Sequence, residues 1–313
     1  MLYNGRVVFK WRNMFKRALI SIIFLLALAA PVFSADERSV VAIVKVDGDM
    51  GGAVAKALDL AGDLSAKINK WDKVIFKVSI DKPRKESKGF ATNPDLVREL
   101  INIAEKKKAR RLTIVEGVTG GDAFIAYDLA GYSELAKRKG AILKSLDSGT
   151  YWRSWVPDGS GYKKYWNSIE VLNCDVFVNV PVLRYDEKSS VSLSLKSMMG
   201  IVYGRAARKQ LLDDDNVDEI IVDQNFIRPS DFVVIDGTSV VLQDGKTIKD
   251  LGVIIVSTDP VAADAVGAKI LGFEPKTIRH LQIAESKGMG NADLKNIRIA
   301  GEKIEKIQEM LKD

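Results

Sequence analysis

Three residues stand where chemistry could be done: Lys77 in "KVIFKVSI", Asn179 in "DVFVNV" and Lys196 in "LSLKSMMG". Each is a polar group among apolar or small residues, so each needs a local partner or a ligand. A lysine can neutralise a phosphate or carboxylate, and an amide can position a water or a proton. Glu116 at the end of "RRLTIVEG", Asp236 in "VVIDG" and Asp259 in "STDP" add oxygen donors of the kind a divalent cation such as Mg²⁺ takes. The Gly120-Gly121 turn of "GVTGGD" leads into a helix, and its N–H groups could cradle an anion. It lacks the Gly-Lys-Ser/Thr ending of a P-loop. The expected site is therefore Lys77, Asn179 and Lys196 for catalysis, Gly120 and Gly121 for a cofactor anion, and Glu116, Asp236 and Asp259 for a metal. Plainer roles compete with these. Asp236-Gly237 is also a turn pair, Asp259-Pro260 a helix start, and Lys196 a side chain that could snorkel to the surface.

The elements that must position these residues alternate. Apolar, β-branched runs at 40–46, 73–80, 110–117, 141–146, 175–180, 231–237 and 252–257 read as buried strands. Between them lie helical patterns. The clearest runs from Asn93, a cap, through Pro94 and Asp95, with Leu96, Val97, Leu100, Ile101 and Ala104 on one face. The expectation is an α/β fold with a mostly parallel or mixed sheet and helices on both faces, as one unit or two lobes over 35–313. In such sheets ligands bind beyond the carboxyl ends of the strands, where Lys77, Glu116 and Asn179 fall. An aromatic segment, 151–166, carries Trp152, Trp155 and Trp166 around "PDGSG" and reads as a β-hairpin insert. It would either pack its rings on the sheet or cover a ligand.

Composition narrows the chemistry. The chain of 313 residues has one Cys, Cys174, and one His, His280. This leaves no internal disulfide, iron–sulfur cluster or structural zinc to expect, and the single histidine, read as structural, argues against Ser-His-Asp chemistry. Cys174 reads as a small core residue and His280, in "TIRH", as part of a surface helix. The net charge of +6 does not point to nucleic acid. Five basic and no acidic residues lie in 1–34, so the rest is near neutral. Those first residues have the anatomy of a secretory leader: Lys16 and Arg17, an apolar core at 18–30, then Pro31 and small residues. Val32 and Ser34 suit a cut after Ser34, and Met14 is a candidate start. The expected location is exported, periplasmic or secreted; the alternative is an uncleaved N-terminal anchor, with the leader as the only membrane contact.

"ATNPDLVRELINIAEKKKARRLTIVEG", "CDVFVNVPVLRYDEKSSVSLSLKSMMGIV", "VVIDG" and "STDPVAADAVGAKILGF", in that order, resemble the domain-of-unknown-function family 362. The resemblance spans roughly 40–301. It implies an α/β fold, often joined to a ferredoxin-like segment that this chain, without cysteine clusters, lacks. It implies no established reaction. Lys77, Asn179, Pro181, Lys196, Gly200, Asp236, Asp259 and Asp264 match by position, the last as a packing or capping residue. The chain departs from the family's Lys-Thr-His at Arg184-Tyr185-Asp186, and from its Lys-Pro-Asn at Lys77-Val78-Ser79. Two functions follow as expectations. One is an exported enzyme for a small anionic substrate, with or without a divalent cation. The other is a non-catalytic binding or assembly protein that uses its aromatic insert. The sequence leaves the oligomeric state open.

Overall fold

The long apolar runs become the middle of one sheet because a strand buried on both faces has no polar side to offer water. The computed structural model describes residues 38–85 and 87–312. The leader and its proposed cut lie outside them. Twelve strands are present among the described residues: β1 (Ser39–Lys45), β2 (Lys73–Val78), β3 (Arg111–Glu116), β4 (Ile142–Ser145), β5 (Tyr151–Trp155), β6 (Lys164–Ser168), β7 (Val176–Val180), β8 (Arg184–Asp186), β9 (Ser190–Ser192), β10 (Phe232–Val241), β11 (Ile248–Ser257) and β12 (Ile297–Gly301). Eight form a sheet in the order β12-β1-β11-β10-β7-β2-β3-β4. Every neighbouring pair is parallel except the two made by β11. The sheet is thus mixed and mostly parallel. Residues from Arg38 onward form one unit.

β2 connects to β3 and β4 on one side, whereas β7 connects to β10 on the other. The order therefore reverses between β2 and β7, and that is where an open α/β sheet leaves a crevice at its carboxyl edge. Lys77 and Asn179 are paired in register across this junction. β10 and β11 run further than the apolar runs indicate. They continue as one antiparallel hairpin through Asp244, whose carboxylate accepts from the N–H groups of Lys246 and Thr247.

Helices cover both faces. On one, Met50–Ala61 and Pro94–Lys106 pack Ala57, Leu58, Leu96, Val97 and Leu100 against Val74, Phe76, Val178 and Val234. The second helix starts as its sequence dictates: the Asn93 side chain accepts from the Asp95 N–H, with Pro94 in the first turn. On the other face lie Val217–Ile227, Pro260–Ile270 and Arg279–Ser286, with a core that includes Ile235, Ile255, Ile220 and Leu281. His280 is fully buried there, its Nδ1 2.8 Å from Asp218 Oδ1, which corrects the surface helix expected from "TIRH".

The short helix Ser194–Ser197 has no cap of its own. Asp264, on Pro260–Ile270, supplies one: its two carboxylate oxygens accept from the Ser194 and Leu195 N–H groups at 2.8 Å each. This completes the helix that carries Lys196 and Ser197. Burial pushes Asp264 up from 3.8 to about 6, against the bonds from Ser194 and Leu195. Between these values the native state holds a proton that the unfolded chain has released. The contribution is therefore complete below about pH 4 and lost as pH rises through about 6. Measured by urea denaturation against Asp264→Asn, the stability of the natural chain should fall by about 3 kcal/mol from pH 4 to pH 7. A difference that does not change with pH would contradict this assignment.

Candidate functional site

At the carboxyl ends of β2, β3 and β7 the structure assembles a closed polar cluster. Lys77 and Glu116 are 1% and 4% exposed, and Lys77 Nζ lies 3.1 and 3.3 Å from the two Glu116 oxygens. Lys77 Nζ also donates to the Val78 carbonyl at 3.0 Å and to Ser197 Oγ at 2.9 Å. Ser197 Oγ in turn donates to Asn179 Oδ1 at 3.1 Å. The Asn179 amide donates to the Ser194 carbonyl at 2.8 Å and to Ser230 Oγ at 3.3 Å. Glu116 is held by two backbone donors, the N–H of Ile80 (2.9 Å) and that of Gly117 (2.7 Å). Every polar atom of the Lys77–Glu116 pair thus has a partner, as a buried charge requires.

The cluster is tightly roofed. A Cβ on Gly200 would lie 2.7 Å from Glu116 Oε1 and 2.8 Å from Lys77 Cε. One on Gly117 would lie 2.3 Å from the Gly200 carbonyl and 2.4 Å from an Arg208 nitrogen. Only glycine fits at either position. Arg208, 1% exposed, bonds Asp147 through both terminal nitrogens and the Val202 carbonyl through one. Burial pushes the Lys77 ammonium down, the Glu116 charge opposes this, and Arg208 adds to the downward push. Burial pushes Glu116 up against the attraction of Lys77 and its backbone donors. Both shifts favour a proton shared or exchanged within the pair.

A crevice of about 400 Å³ lies near this junction, lined by Ser87, Lys88, Thr92, Asn93, Thr238, Ser239 and Asp250 among others. Its wall is made by residues 87–94, which follow β2 in the chain, together with Thr238, Ser239 and Asp250 of the β10–β11 hairpin. The loop 79–93 is tied to the cluster at its start through the Ile80 N–H on Glu116. It is tied at its end through Thr92, whose hydroxyl donates to the Val180 carbonyl at 2.6 Å and accepts from the Ser79 N–H. Asp236, 2% exposed, lies beside it and accepts from the Asn93 N–H and from the N–H and hydroxyl of Thr238. Burial pushes its carboxyl up, and these donors pull it back.

Of the expected residues, Lys77, Asn179 and Glu116 come together, with Glu116 as the partner of a lysine. The others go elsewhere. Lys196 pairs with Asp186 at 2.5 Å, both largely covered, and burial lowers the lysine in spite of that partner. Burial acts to raise Asp186, but Lys196 and the Ser189 N–H and hydroxyl outweigh it and leave it below its ordinary value. Asp186, the last residue of the Arg184-Tyr185-Asp186 segment, thus serves as the counter-ion of Lys196. Asp259 caps Pro260–Ile270 through the Ala262 N–H and also accepts from Ser39 Oγ and the Asn291 N–H. Glu116, Asp236 and Asp259 therefore do not form one metal set, and no group of three His, Cys, Asp or Glu side chains able to hold a metal ion occurs among the described residues. At Gly120-Gly121, the Thr119 and Gly120 N–H groups are bonded to the Asp81 carbonyl, and Asp122 caps the helix Ala123–Leu129. The sequence reading missed Ser197, Arg208 and Asp147. Only Ser197 had a signal, as the neighbour of Lys196 in the same block.

A family model described as a domain of unknown function (DUF362) matches residues 74–269. The chain is similar, at 20% identity over 249 residues, to a thylakoid-associated protein of Synechocystis sp.; the match covers 77% of this chain and 76% of that protein. Among solved structures it is similar to the lactate racemase apoprotein from Thermoanaerobacterium thermosaccharolyticum, with a TM-score of 0.49 and 13% identity. That match covers 75% of this chain, which spans 57% of the solved one.

The pair predicts a specific pattern of stability. Lys77→Met and Glu116→Gln each leave a buried group without its partner and should each cost about 3–5 kcal/mol. The double variant should cost less than their sum by about 2 kcal/mol or more. Additive losses in chemical denaturation would show that the two side chains do not act as a unit.

Proposed function

The chain belongs to the DUF362 family of domains of unknown function, and from that premise we propose that it is an enzyme for a small anionic substrate, bound at the carboxyl ends of β2 and β7, with Lys77 moving a proton. One observation carries this reading: a buried Lys77–Glu116 pair, relayed through Ser197 to Asn179, at the junction where the strand order reverses. A lysine whose proton affinity is lowered by burial can act as an acid or a base near neutrality, where an exposed lysine cannot.

The substrate anion would sit in the crevice, where it would draw the Lys88 ammonium from its ion pair with Asp250 (2.7 Å) and turn the Thr238 and Ser239 hydroxyls from Asp236 and Asp250, and where Pro94–Lys106 presents its N-terminus. A divalent cation such as Mg²⁺, in this proposal, would arrive with the substrate, since Glu116, Asp236 and Asp259 already serve other donors. The leader makes the enzyme an exported one, and a mature chain beginning at Ala35 is the signature of that step.

A thermal-shift screen with phosphate, sulfate and small mono- and dicarboxylates, each with and without Mg²⁺, tests the reading. A ligand at about 100 times its Kd adds about 2.7 kcal/mol to the folded state and must raise Tm. At least one anion should do so, and a Lys88→Ala/Thr238→Val variant should lose the shift. If no anion moves Tm, or if the variant responds like the natural chain, the crevice is not the substrate site.

A further inference from the structure

The hairpin of β5 and β6 does not pack its tryptophans on the sheet. Its register, Tyr151↔Ser168 through Trp155↔Lys164, puts Ser154, Tyr165 and Asn167 on the inner face. All three are buried, and Asn167 donates to Gln224 at 2.7 Å. The outer face carries Tyr151, Arg153 and Trp155 from β5 and Lys164 and Trp166 from β6, with Tyr203 stacked on Tyr151 at 4.2 Å. Trp155 and Trp166 are 55% and 48% exposed.

The hairpin is rigid for a physical reason. Asp223, buried on Val217–Ile227, accepts from the N–H groups of Ser160, Gly161 and Tyr162 and from the Tyr165 hydroxyl. One carboxylate thus fixes the whole tip. The other end is fixed where the Tyr203 N–H donates to the Trp166 carbonyl at 2.8 Å. A partner meets this surface already ordered, so little side-chain freedom is lost on contact.

The face is aromatic and cationic, and neither β5 nor β6 contains an acidic residue. Arg153 lies over Trp166 at 5.9 Å and Lys164 over Trp155 at 5.0 Å. Among the described residues neither cation is ion-paired with a carboxylate. Trp166 also receives Tyr151 edge-on, with the rings 89° apart. On this face the indoles of Trp155 and Trp166 therefore offer rims flanked by cations rather than free flat faces, whereas Trp152, paired with Asn167, lies on the other side of the hairpin. That disfavours stacking of nucleic-acid bases, which needs an open ring face. It suits a membrane interface, where tryptophan and tyrosine rims sit at headgroup level and lysine and arginine reach anionic headgroups.

We infer that this outer face is a peripheral docking surface for a membrane rich in anionic phospholipid, independent of the leader and of the crevice. Vesicle flotation of the full chain tests it, because any contribution of the leader is the same in every variant. On phosphatidylglycerol/phosphatidylcholine vesicles, Arg153→Ala/Lys164→Ala should bind about 30-fold more weakly than the natural chain. Trp155→Ala/Trp166→Ala should also weaken binding, and Arg153→Lys/Lys164→Arg should keep it. Near-UV circular dichroism of each variant confirms the fold. The inference is overturned if the folded variants bind anionic vesicles as the natural chain does. It is equally overturned if Arg153→Ala/Lys164→Ala loses as much binding on phosphatidylcholine alone as on the anionic mixture. Capture of single-stranded oligonucleotide or acidic polysaccharide instead of vesicles, lost in the same variants, would assign the face to another partner and overturn it too.

Discussion

A lysine and a glutamate buried against each other constrain everything within reach. Lys77 and Glu116 must keep their mutual contact, and their remaining donors and acceptors must be met by fixed groups. Those groups are the Ile80 and Gly117 N–H, the Val78 carbonyl and Ser197 Oγ. They come from three stretches of chain, so the pair sets where the chain leaves β2, how β3 ends, and how closely the segment 197–200 approaches. Gly117 and Gly200 are the steric counterpart of that constraint, since a methyl group at either would displace the ions or their cover.

The same device recurs through the molecule with neutral partners. Asp264 caps a helix from another element, Asp223 fixes a hairpin tip, Asp236 joins loop 79–93 to β10, and Asp259 draws Ser39 and Asn291 to one helix start. In each case a largely covered carboxylate gathers N–H or hydroxyl donors that a buried backbone would otherwise leave unmet. Acidic residues here join elements. At the β2–β7 junction the buried carboxylate of Glu116 instead meets a lysine, Lys77.

Much of this was legible in the sequence. Continuous apolar runs marked the central strands, and the Asn93-Pro94-Asp95 start fixed a helix to the residue. Lys77, Asn179 and Glu116 were conspicuous as polar groups at strand ends. What sequence could not give was the direction of neighbouring side chains. Lys196 and Ser197 are one residue apart on a short helix, about 100° around its axis, so one meets Asp186 and the other Lys77. Carboxylates were legible as oxygen donors, yet the same oxygens serve a metal or a helix cap, and only the fold chooses. In the hairpin, period-two alternation separated Trp155 and Trp166 from Tyr165 and Asn167 without saying which set faces in. The polar set does, because Asp223 and Gln224 wait beneath it with partners. The burial of His280 was not legible for a related reason: its partly covered carboxylate partner, Asp218, is 62 positions away.

The central claim is that burial holds Lys77 ready to exchange a proton with Glu116 at the carboxyl edge of the sheet. Selective ¹⁵N labelling of lysine, with the Lys77 Nζ resonance assigned by its loss in Lys77→Met, allows that nitrogen to be titrated directly by NMR. The account predicts a midpoint clearly below that of an ordinary exposed lysine, displaced further down in Glu116→Gln because the opposing charge is gone. A Lys77 that stays protonated through the ordinary lysine range would mean a fixed ion pair with a structural role, and would contradict the account.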